Sequence, residues 1–450
     1  MNADTTKVSR VLIAGTGSGC GKTTVTCAVL QALKNRGLNI GAAKCGPDYI
    51  DPMFHRTVIG AASSNLDPFF FDDDTLRFLL AKNGRERDIT VIEGVMGYYD
   101  GLSLTTSRAG AYDVARITET PVILTVNAKG AALSILAQIK GFLEFVPQSF
   151  IRGVILNHCS EKVYAALKPL IEDLGLRPLG FLPGLPDCEI GSRHLGLVTA
   201  DEIADIKTKM QLLADQAEKS LDIDGIIELG ATAPALNCQP RIVERREAVR
   251  IAVARDKAFC FYYEDSLSLL ADMGAEIVPF SPLADDHLQE NIHGLFLCGG
   301  YPELYAERLS ANRTLREDIL NALRNGLPCI AECGGFMYLT QAIGHYPMVG
   351  FIAGNCSDNG RLTRFGYISL TADRDNMLCR KGESIPAHEF HHWDADFPGD
   401  SFTALKPDGR AWPCVHATAT LYAGFPHMHF YANPAFADGF YNACLKEKHR

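Results

Sequence analysis

The chain has 450 residues, 47% of them hydrophobic, and a formal net charge of -10 at pH 7. A chain of this length exceeds one hydrophobic core, so we expect roughly two or three domains. Because the charge is negative and no basic run occurs, we exclude a nucleic-acid partner and an anionic-membrane surface, and expect small-molecule partners.

The N-terminal residues and the cysteines indicate the compartment. Residues 1–6 lack the basic and apolar regions of a signal peptide, and no apolar run approaches the ~18 residues of a membrane span. We therefore expect a soluble, cytoplasmic protein without a membrane partner. The 14 cysteines include no CxxC pair and no His/Cys cluster with ligand spacing, which argues against a disulfide framework or a structural zinc site.

Strand-like and helical patterns alternate over the first half of the chain, which predicts parallel strands with right-handed crossovers and an α/β fold. The predicted strands are residues 11–14, 40–44, 90–93, 122–126 and 153–156, and the predicted helices include 25–36 and 131–145.

The first strand runs into GTGSGCGKTT, residues 15–24. In such a loop the backbone N–H groups turn toward a polyphosphate, the lysine neutralises its terminal oxygens, and a hydroxyl at the helix N-terminus ligates Mg²⁺. Thr16 stands where the common pattern has its first glycine, which marks a subclass. We predict ATP and Mg²⁺ as ligands, with the nucleotide bound by Gly17, Ser18, Gly19, Cys20, Gly21, Lys22, Thr23 and Thr24.

Four carboxylates follow the second and third predicted strands, namely Asp48, Asp51, Glu93 and Asp100. Ligands of open α/β sheets bind at the carboxyl ends of the strands, so we expect these acids to face the phosphates and to hold Mg²⁺ or orient a reacting group. Glu93 is predicted to ligate the ion together with Thr23. The alternative, that they are solvated turn acids, remains open.

A second alternation follows a proline-bounded stretch of small residues. We predict an ATP-binding domain over residues 1–235, a linker over 236–248 and a second α/β domain over 249–450. The strands predicted in the second domain are 250–254, 276–280, 294–297 and 328–331.

The last of these strands leads into Cys333, two glycines and an apolar helix, a nucleophile elbow with cysteine in the place of serine. The helix N-terminus is expected to stabilise the thiolate, and residues 298–303 to supply an oxyanion hole. A nucleophilic cysteine needs a base, and His427 and His429 are the candidates, because a spacing of two on an extended segment puts both imidazoles on one face.

Residues 388–392, HEFHH, match the H-E-x-x-H pattern of zinc proteases. That chemistry needs a long helix, whereas Pro386 precedes this segment and an aromatic, proline-containing stretch follows it. We reject the zinc site; a packed strand and an element of a substrate pocket remain as alternatives.

The motifs occur in an order that resembles the cobyrinate a,c-diamide synthase family, over nearly the whole chain. The segments that carry the resemblance are residues 15–24, 46–52, 193–197, 299–303, 332–335 and 388–391. The resemblance implies a P-loop synthetase domain similar to dethiobiotin synthetase, followed by a class I, triad-type glutamine amidotransferase domain.

The resemblance also implies the reaction. Cys333 would release ammonia from glutamine through a thioester, and ATP would activate a carboxylate of cobyrinic acid or a related tetrapyrrole, which ammonia then amidates. An internal route would carry the ammonia. By position in the His-x-Glu pattern of the wider class, His427 would be the base and His429 would orient it, with the reverse left open.

Three further alternatives remain. The substrate could be hydrogenobyrinic acid or nickel sirohydrochlorin, which the nucleotide motifs cannot distinguish. A partner-binding ATPase of the partitioning type is disfavoured by the Cys333 elbow. A homodimer is left open.

Asn127 stands where the family usually has Asp, so it is given no metal role.

Overall fold

The computed structural model describes residues 4–188, 192–193, 196–197 and 206–450. The chain divides into two compact units, Met1–Arg241 and Ile242–Arg450. This division falls within the linker predicted over 236–248. However, the first residues of that segment form a strand of the first unit, because Leu236–Cys238 pairs antiparallel with Asp4–Thr6.

A parallel sheet is the centre of the first unit. The strands are β1 (Asp4–Thr6), β2 (Arg10–Gly15), β3 (Ile40–Cys45), β4 (Ala62–Leu66), β5 (Ile89–Glu93), β6 (Val122–Asn127), β7 (Ile151–Asn157), β8 (Arg177–Leu182), β9 (Ser192–Arg193), β10 (Gly196–Leu197) and β11 (Leu236–Cys238). Seven of them pair in the spatial order β4-β3-β5-β2-β6-β7-β8, all parallel. Their sequences read as continuous apolar runs because both faces of such a sheet are covered.

The helices of this unit are α1 (Lys22–Asn35), α2 (Ile50–Phe54), α3 (Asp73–Gly84), α4 (Ala111–Thr118), α5 (Ser134–Glu144), α6 (Glu161–Asp173), α7 (Ile206–Ser220) and α8 (Ile223–Ala231). Helices α1 to α6 connect the parallel strands of this unit, and α7 and α8 follow the last of these strands. A π-helical turn, His55–Ile59, follows α2. Val25, Val29 and Leu33 recur every four residues along α1, and they pack with α7 and α8 in one core.

The second unit contains a parallel sheet and additional antiparallel sheets. Its strands are β12 (Val249–Ala254), β13 (Phe259–Phe261), β14 (Ala275–Phe280), β15 (Gly294–Leu297), β16 (Gly299–Gly300), β17 (Cys329–Glu332), β18 (Ala342–Ile343), β19 (Tyr346–Pro347), β20 (Asn355–Asp358), β21 (Arg364–Ala372), β22 (Ser384–His391), β23 (Trp393–Ala395), β24 (Phe402–Leu405), β25 (Ala411–Cys414), β26 (His416–Ala417), β27 (Leu421–Gly424) and β28 (His427–Met428).

The larger sheet of this unit has the order β14-β12-β15-β17-β27-β26, parallel except for β26. An antiparallel sheet has the order β25-β24-β21-β22-β28, and a smaller sheet has the order β19-β18-β20-β23. The helices are α9 (Glu264–Met273), α10 (Ala306–Ala311), α11 (Arg313–Arg324), α12 (Gly334–Leu339) and α13 (Pro434–Lys448).

The predicted α/β class is confirmed in both units. The nine strands predicted in the first and second halves all occur, with ends within two residues of the prediction, and the two helices shift by up to three residues. Among the described residues, no helix combines the length and apolar character needed to cross a membrane.

Candidate active sites

The predicted phosphate loop lies between β2 and α1, at the carboxyl edge of the parallel sheet. Gly21 has a φ of 97°, and a side chain there would collide with Asn157, whose amide donates a hydrogen bond to the Cys20 carbonyl at 3.0 Å. Lys22 folds back over the loop and donates to the Gly17 carbonyl at 2.9 Å. A loop of this kind, opening a helix, can bind a polyphosphate.

Glu93 is fully buried at the end of β5 and joins three side chains. Its Oε1 accepts hydrogen bonds from the Thr23 hydroxyl at 2.6 Å and from Lys44 Nζ at 3.0 Å. Its Oε2 lies 3.1 Å from His55 Nε2. Thr23 and Glu93, the predicted metal ligands, are therefore in direct contact, and Lys44 and His55 complete the cluster.

Lys44 also forms an ion pair with Asp51 of α2. Burial alone would lower the pKa of Lys44, but the carboxylates of Asp51 and Glu93 hold it well above its usual value. Despite burial, Lys44 and His55 lower the pKa of Glu93, whereas burial and the neighbouring Glu93 raise that of Asp51. The cluster therefore keeps a positive charge beside the phosphate loop.

The other two predicted acids lie at the same edge. Asp48 accepts a backbone N–H at the start of α2 at 2.9 Å, and its charge acts on Lys44. Asp100 accepts the Gly97 N–H at 2.8 Å, and its charge acts on Lys22. Both residues stabilise turns, as expected if they are turn acids. Both also contribute negative charge around Lys22 and Lys44.

The oxygen atoms beside the loop fit a magnesium ion. Mg²⁺ is usually held by one or two protein oxygens together with substrate phosphates. The Thr23 hydroxyl and the Glu93 carboxylate, 2.6 Å apart, provide such a pair. In the described part of the chain, no group of three or more His, Cys, Asp or Glu side chains is arranged to hold a metal ion.

In the second unit, Cys333 lies on a sharp turn between β17 and α12. Its φ and ψ of 48° and -104° fall in a region that residues other than glycine seldom adopt. Its amide donates to the Gly424 carbonyl of β27 at 2.7 Å. A side chain at Gly335 would collide with the Leu297 carbonyl, so only glycine fits there. The strand, turn and helix have the geometry predicted for a nucleophile elbow.

Opposing contributions act on the pKa of the Cys333 thiol. Burial and the Glu303 carboxylate raise the pKa of Cys333, and a hydrogen bond from the Gly334 N–H offsets this only in part. Burial also raises the pKa of Glu303 to about 7. The Gly334 N–H at the helix N-terminus favours the thiolate, but burial and Glu303 outweigh it, so a base is needed to take the thiol proton.

His427 lies beside Cys333 with Gly299 between them. A side chain built on Gly299 would collide with Cε1 of His427 and lie 3.4 Å from Cβ of Cys333. On the other side of the imidazole, Nδ1 of His427 is 3.5 Å from Oε2 of Glu332. The imidazole thus lies between a carboxylate and the elbow, as a base for the thiol requires.

His429 has different partners. Its ring centroid is 4.8 Å from that of Tyr263, its Nδ1 accepts the Tyr431 N–H at 3.3 Å, and burial lowers its pKa to about 3. The orienting role expected of His429 stays a prediction, and the Glu332 carboxylate also lies near Nδ1 of His427.

Residues 388–391 of the HEFHH segment are the end of strand β22 and not a helix, so the segment lacks the geometry of a zinc protease. Glu389 Oε1 lies 3.0 Å from His391 Nε2, and the His391 ring stacks on Phe425 with centroids 3.8 Å apart. Burial and the neighbouring His427 lower the pKa of His388 to about 3. These contacts fit the packed-strand alternative.

The side chains of Lys44, His55, Glu303 and Glu332 lie at the two sites although no sequence motif assigns them a role there. Lys44 and Glu332 are charged residues near the ends of parallel strands, the same signal that selects Glu93. His55 has no such signal, because the π-helical turn that brings it to Glu93 has no pattern in the sequence. The side chains of residues 193–197, which carry part of the resemblance, lie outside the described residues.

Comparison with known families matches each unit separately. The model of the CobQ/CobB/MinD/ParA nucleotide binding domain matches residues 11–198. The model of the CobB/CobQ-like glutamine amidotransferase domain matches residues 250–435. The two matches contain the phosphate loop and the cysteine elbow, respectively.

Curated relatives cover almost the full chain. The cobyrinate a,c-diamide synthase of Listeria innocua is 39% identical over 95% of this chain and 98% of its own length. The protein of the same name from Caldanaerobacter subterraneus is 38% identical over 96% of this chain and 98% of its own length. The one from Thermoplasma volcanium is 39% identical over 98% of this chain and 98% of its own length. The chain belongs to the cobyrinate a,c-diamide synthase family.

Proposed function

We propose that this protein uses ATP and glutamine to convert the a and c carboxylates of cobyrinic acid to amides, a step of cobalamin biosynthesis. The observation that carries the proposal is the presence of both necessary sites in one chain. One unit has a phosphate loop beside a buried Lys44 and Glu93 cluster, and the other has a cysteine elbow beside His427.

The second unit would release ammonia from glutamine. His427 takes the proton of the Cys333 thiol, the sulfur attacks the side-chain amide carbon, and the leaving nitrogen receives the proton. Water then hydrolyses the glutamyl thioester to glutamate. The Gly334 N–H next to the sulfur belongs to a backbone segment that can stabilise the oxyanion.

The first unit would activate the tetrapyrrole carboxylate, which does not react with ammonia unaided. A carboxylate oxygen attacks the γ-phosphorus of ATP, ADP leaves, and ammonia displaces phosphate from the acyl phosphate. Lys22 and Lys44 provide the positive charge that stabilises the transferring phosphoryl group. Thr23 and Glu93 would hold Mg²⁺, which would neutralise phosphate charge when bound.

The direct test is incubation with ATP, Mg²⁺, glutamine and cobyrinic acid, followed by mass analysis for two successive acid-to-amide changes. Parallel reactions with hydrogenobyrinic acid and nickel sirohydrochlorin identify the preferred tetrapyrrole. Omission of ATP should stop amidation. Hydrolysis of ATP without glutamine turnover or amidation would contradict the proposal and favour a partner-binding ATPase.

A further inference from the structure

We infer that Glu332 is the positioning residue that orients the base His427, so that the residue before the nucleophile supplies the third member of the triad. This inference rests on the proposed glutaminase function and deepens it. In the His-x-Glu pattern the third member of the triad is a glutamate two residues after the base. In this chain that position is occupied by His429, so the carboxylate has to come from elsewhere in the sequence.

Two contacts fix the Glu332 carboxylate against the segment that carries the base. Oε2 lies 3.5 Å from Nδ1 of His427, and Oε1 accepts the N–H of Met428 at 3.0 Å. The side chains of Glu332 and His427 are 2% and 3% exposed. Because each carboxylate oxygen has its own partner, the carboxylate cannot rotate freely away from the imidazole.

The strand register explains why these residues meet. Glu332 is the last residue of β17 and lies opposite Gly424 in the parallel β27, and the chain reaches His427 three residues later. Successive side chains of a strand normally point to opposite faces. Cys333 leaves the strand with a φ of 48°, so the elbow allows the side chains of both Glu332 and Cys333 to approach one imidazole.

A carboxylate at Nδ1 has a defined chemical role. It favours the tautomer with the proton on Nδ1, which leaves Nε2 free to accept the thiol proton, and it stabilises the imidazolium that forms. His388, the cross-strand partner of His427, cannot replace it, since burial and the charge of His427 lower its pKa to about 3 and keep it neutral. His429 packs on Tyr263 and accepts the Tyr431 N–H.

Glu332→Gln tests this role with little change in volume. If the amide oxygen keeps the hydrogen bond from Met428, the amide nitrogen faces Nδ1 and forces the opposite tautomer. We expect glutaminase kcat to fall by up to about 10⁴-fold, the effect of a wrong catalytic tautomer, with a much smaller change in KM for glutamine. Ammonia-dependent amidation should be unchanged, which shows that the chain is folded. Glu332→Asp, which keeps the charge, should recover part of kcat.

The tautomer can also be read directly in protein labelled with ¹⁵N-histidine, with His427→Gln identifying the resonance. We expect the Nδ1–H form in the wild type and in Glu332→Asp, and the Nε2–H form in Glu332→Gln. An Nε2–H tautomer in the wild type would overturn the inference even if no Glu332 variant folds. Unchanged kcat in Glu332→Gln would also overturn it but leave the proposed function intact, whereas absence of wild-type glutaminase would defeat the proposed function itself.

Discussion

Cys333 is 7% exposed, and burial together with the negative charge of Glu303 raises the pKa of its thiol. Both features disfavour the thiolate, so the nucleophile is inactive until His427 accepts its proton. A resting thiol is protected from oxidation and alkylation, since only the thiolate is strongly nucleophilic. The pH dependence of its reactivity should therefore report on Glu303.

Glu303→Gln should increase the reactivity of Cys333 at alkaline pH. The pKa of Glu303 is raised to about 7. As the pH rises through this value, wild-type Glu303 ionises and further disfavours the thiolate, whereas the amide does not. We expect iodoacetamide to modify Cys333 about tenfold faster in the variant above pH 7, the effect of one pKa unit, and equally fast well below it. Peptide mass mapping measures the rate, and Glu307→Gln at an exposed position is the control. A ratio of variant to wild-type modification rates that does not change with pH would contradict this role of Glu303.

The two histidines should differ sharply in mutational effect. His427→Ala should reduce glutaminase activity by about 10²-fold or more, the scale expected for loss of a general base. His429→Ala should cost less, because burial lowers the pKa of His429 to about 3, which makes it a poor proton acceptor. Ammonia-dependent amidation serves as the folding control for both variants. Wild-type glutaminase rates in His427→Ala would assign the base to His429 instead.

Lys44 should be essential to both stability and chemistry of the first unit. Lys44→Met leaves the Asp51 and Glu93 carboxylates buried without their cation. Removing one partner of a buried pair costs about 3–5 kcal/mol, so the free energy of unfolding in urea should fall by this amount. Adding Glu93→Gln should restore part of the stability but not ATP-dependent amidation. A stability loss no larger than that of the exposed Lys129→Met would contradict the assigned charge cluster.

At the level of elements, the parallel strands were predictable because their residues are buried on both faces and form short apolar runs. The antiparallel sheets were not predicted, although Ile368, Leu370 and Ala372 alternate along β21 as in a half-buried strand. The acids of the first unit could be grouped from sequence, since the carboxyl ends of parallel strands share one edge. The contact between Glu332 and His427 could not, because it depends on the pairing of β17 with β27, which are far apart in the sequence.

The strand-edge acids should act in activation and not in thiol chemistry. The variants Asp48→Asn, Asp51→Asn, Glu93→Gln and Asp100→Asn remove charge but keep size. We expect amidation to fall by about 10 to 100-fold, the usual effect of losing a metal-site partner, with either glutamine or ammonia as donor. Basal glutaminase should survive. Diamide formation at wild-type rates by all four variants would show that these are turn acids only.

In the whole molecule, we expect each unit to carry out one half-reaction. The family matches support this division, since the nucleotide-binding model covers only the first unit and the amidotransferase model only the second. Each half-reaction should therefore fail independently when its own site is altered. This independence is the central claim, and it does not depend on which tetrapyrrole is the substrate.

Cys333→Ala tests that claim most directly. The variant is incubated with ATP, Mg²⁺ and cobyrinic acid, with either glutamine or a high concentration of ammonia, and the products are analysed by mass. Ammonia bypasses the thioester and reaches the activated carboxylate directly, so we predict no diamide with glutamine and near wild-type diamide formation with ammonia. Failure of ammonia to support amidation by the folded variant would contradict the assignment of the two chemistries to separate units.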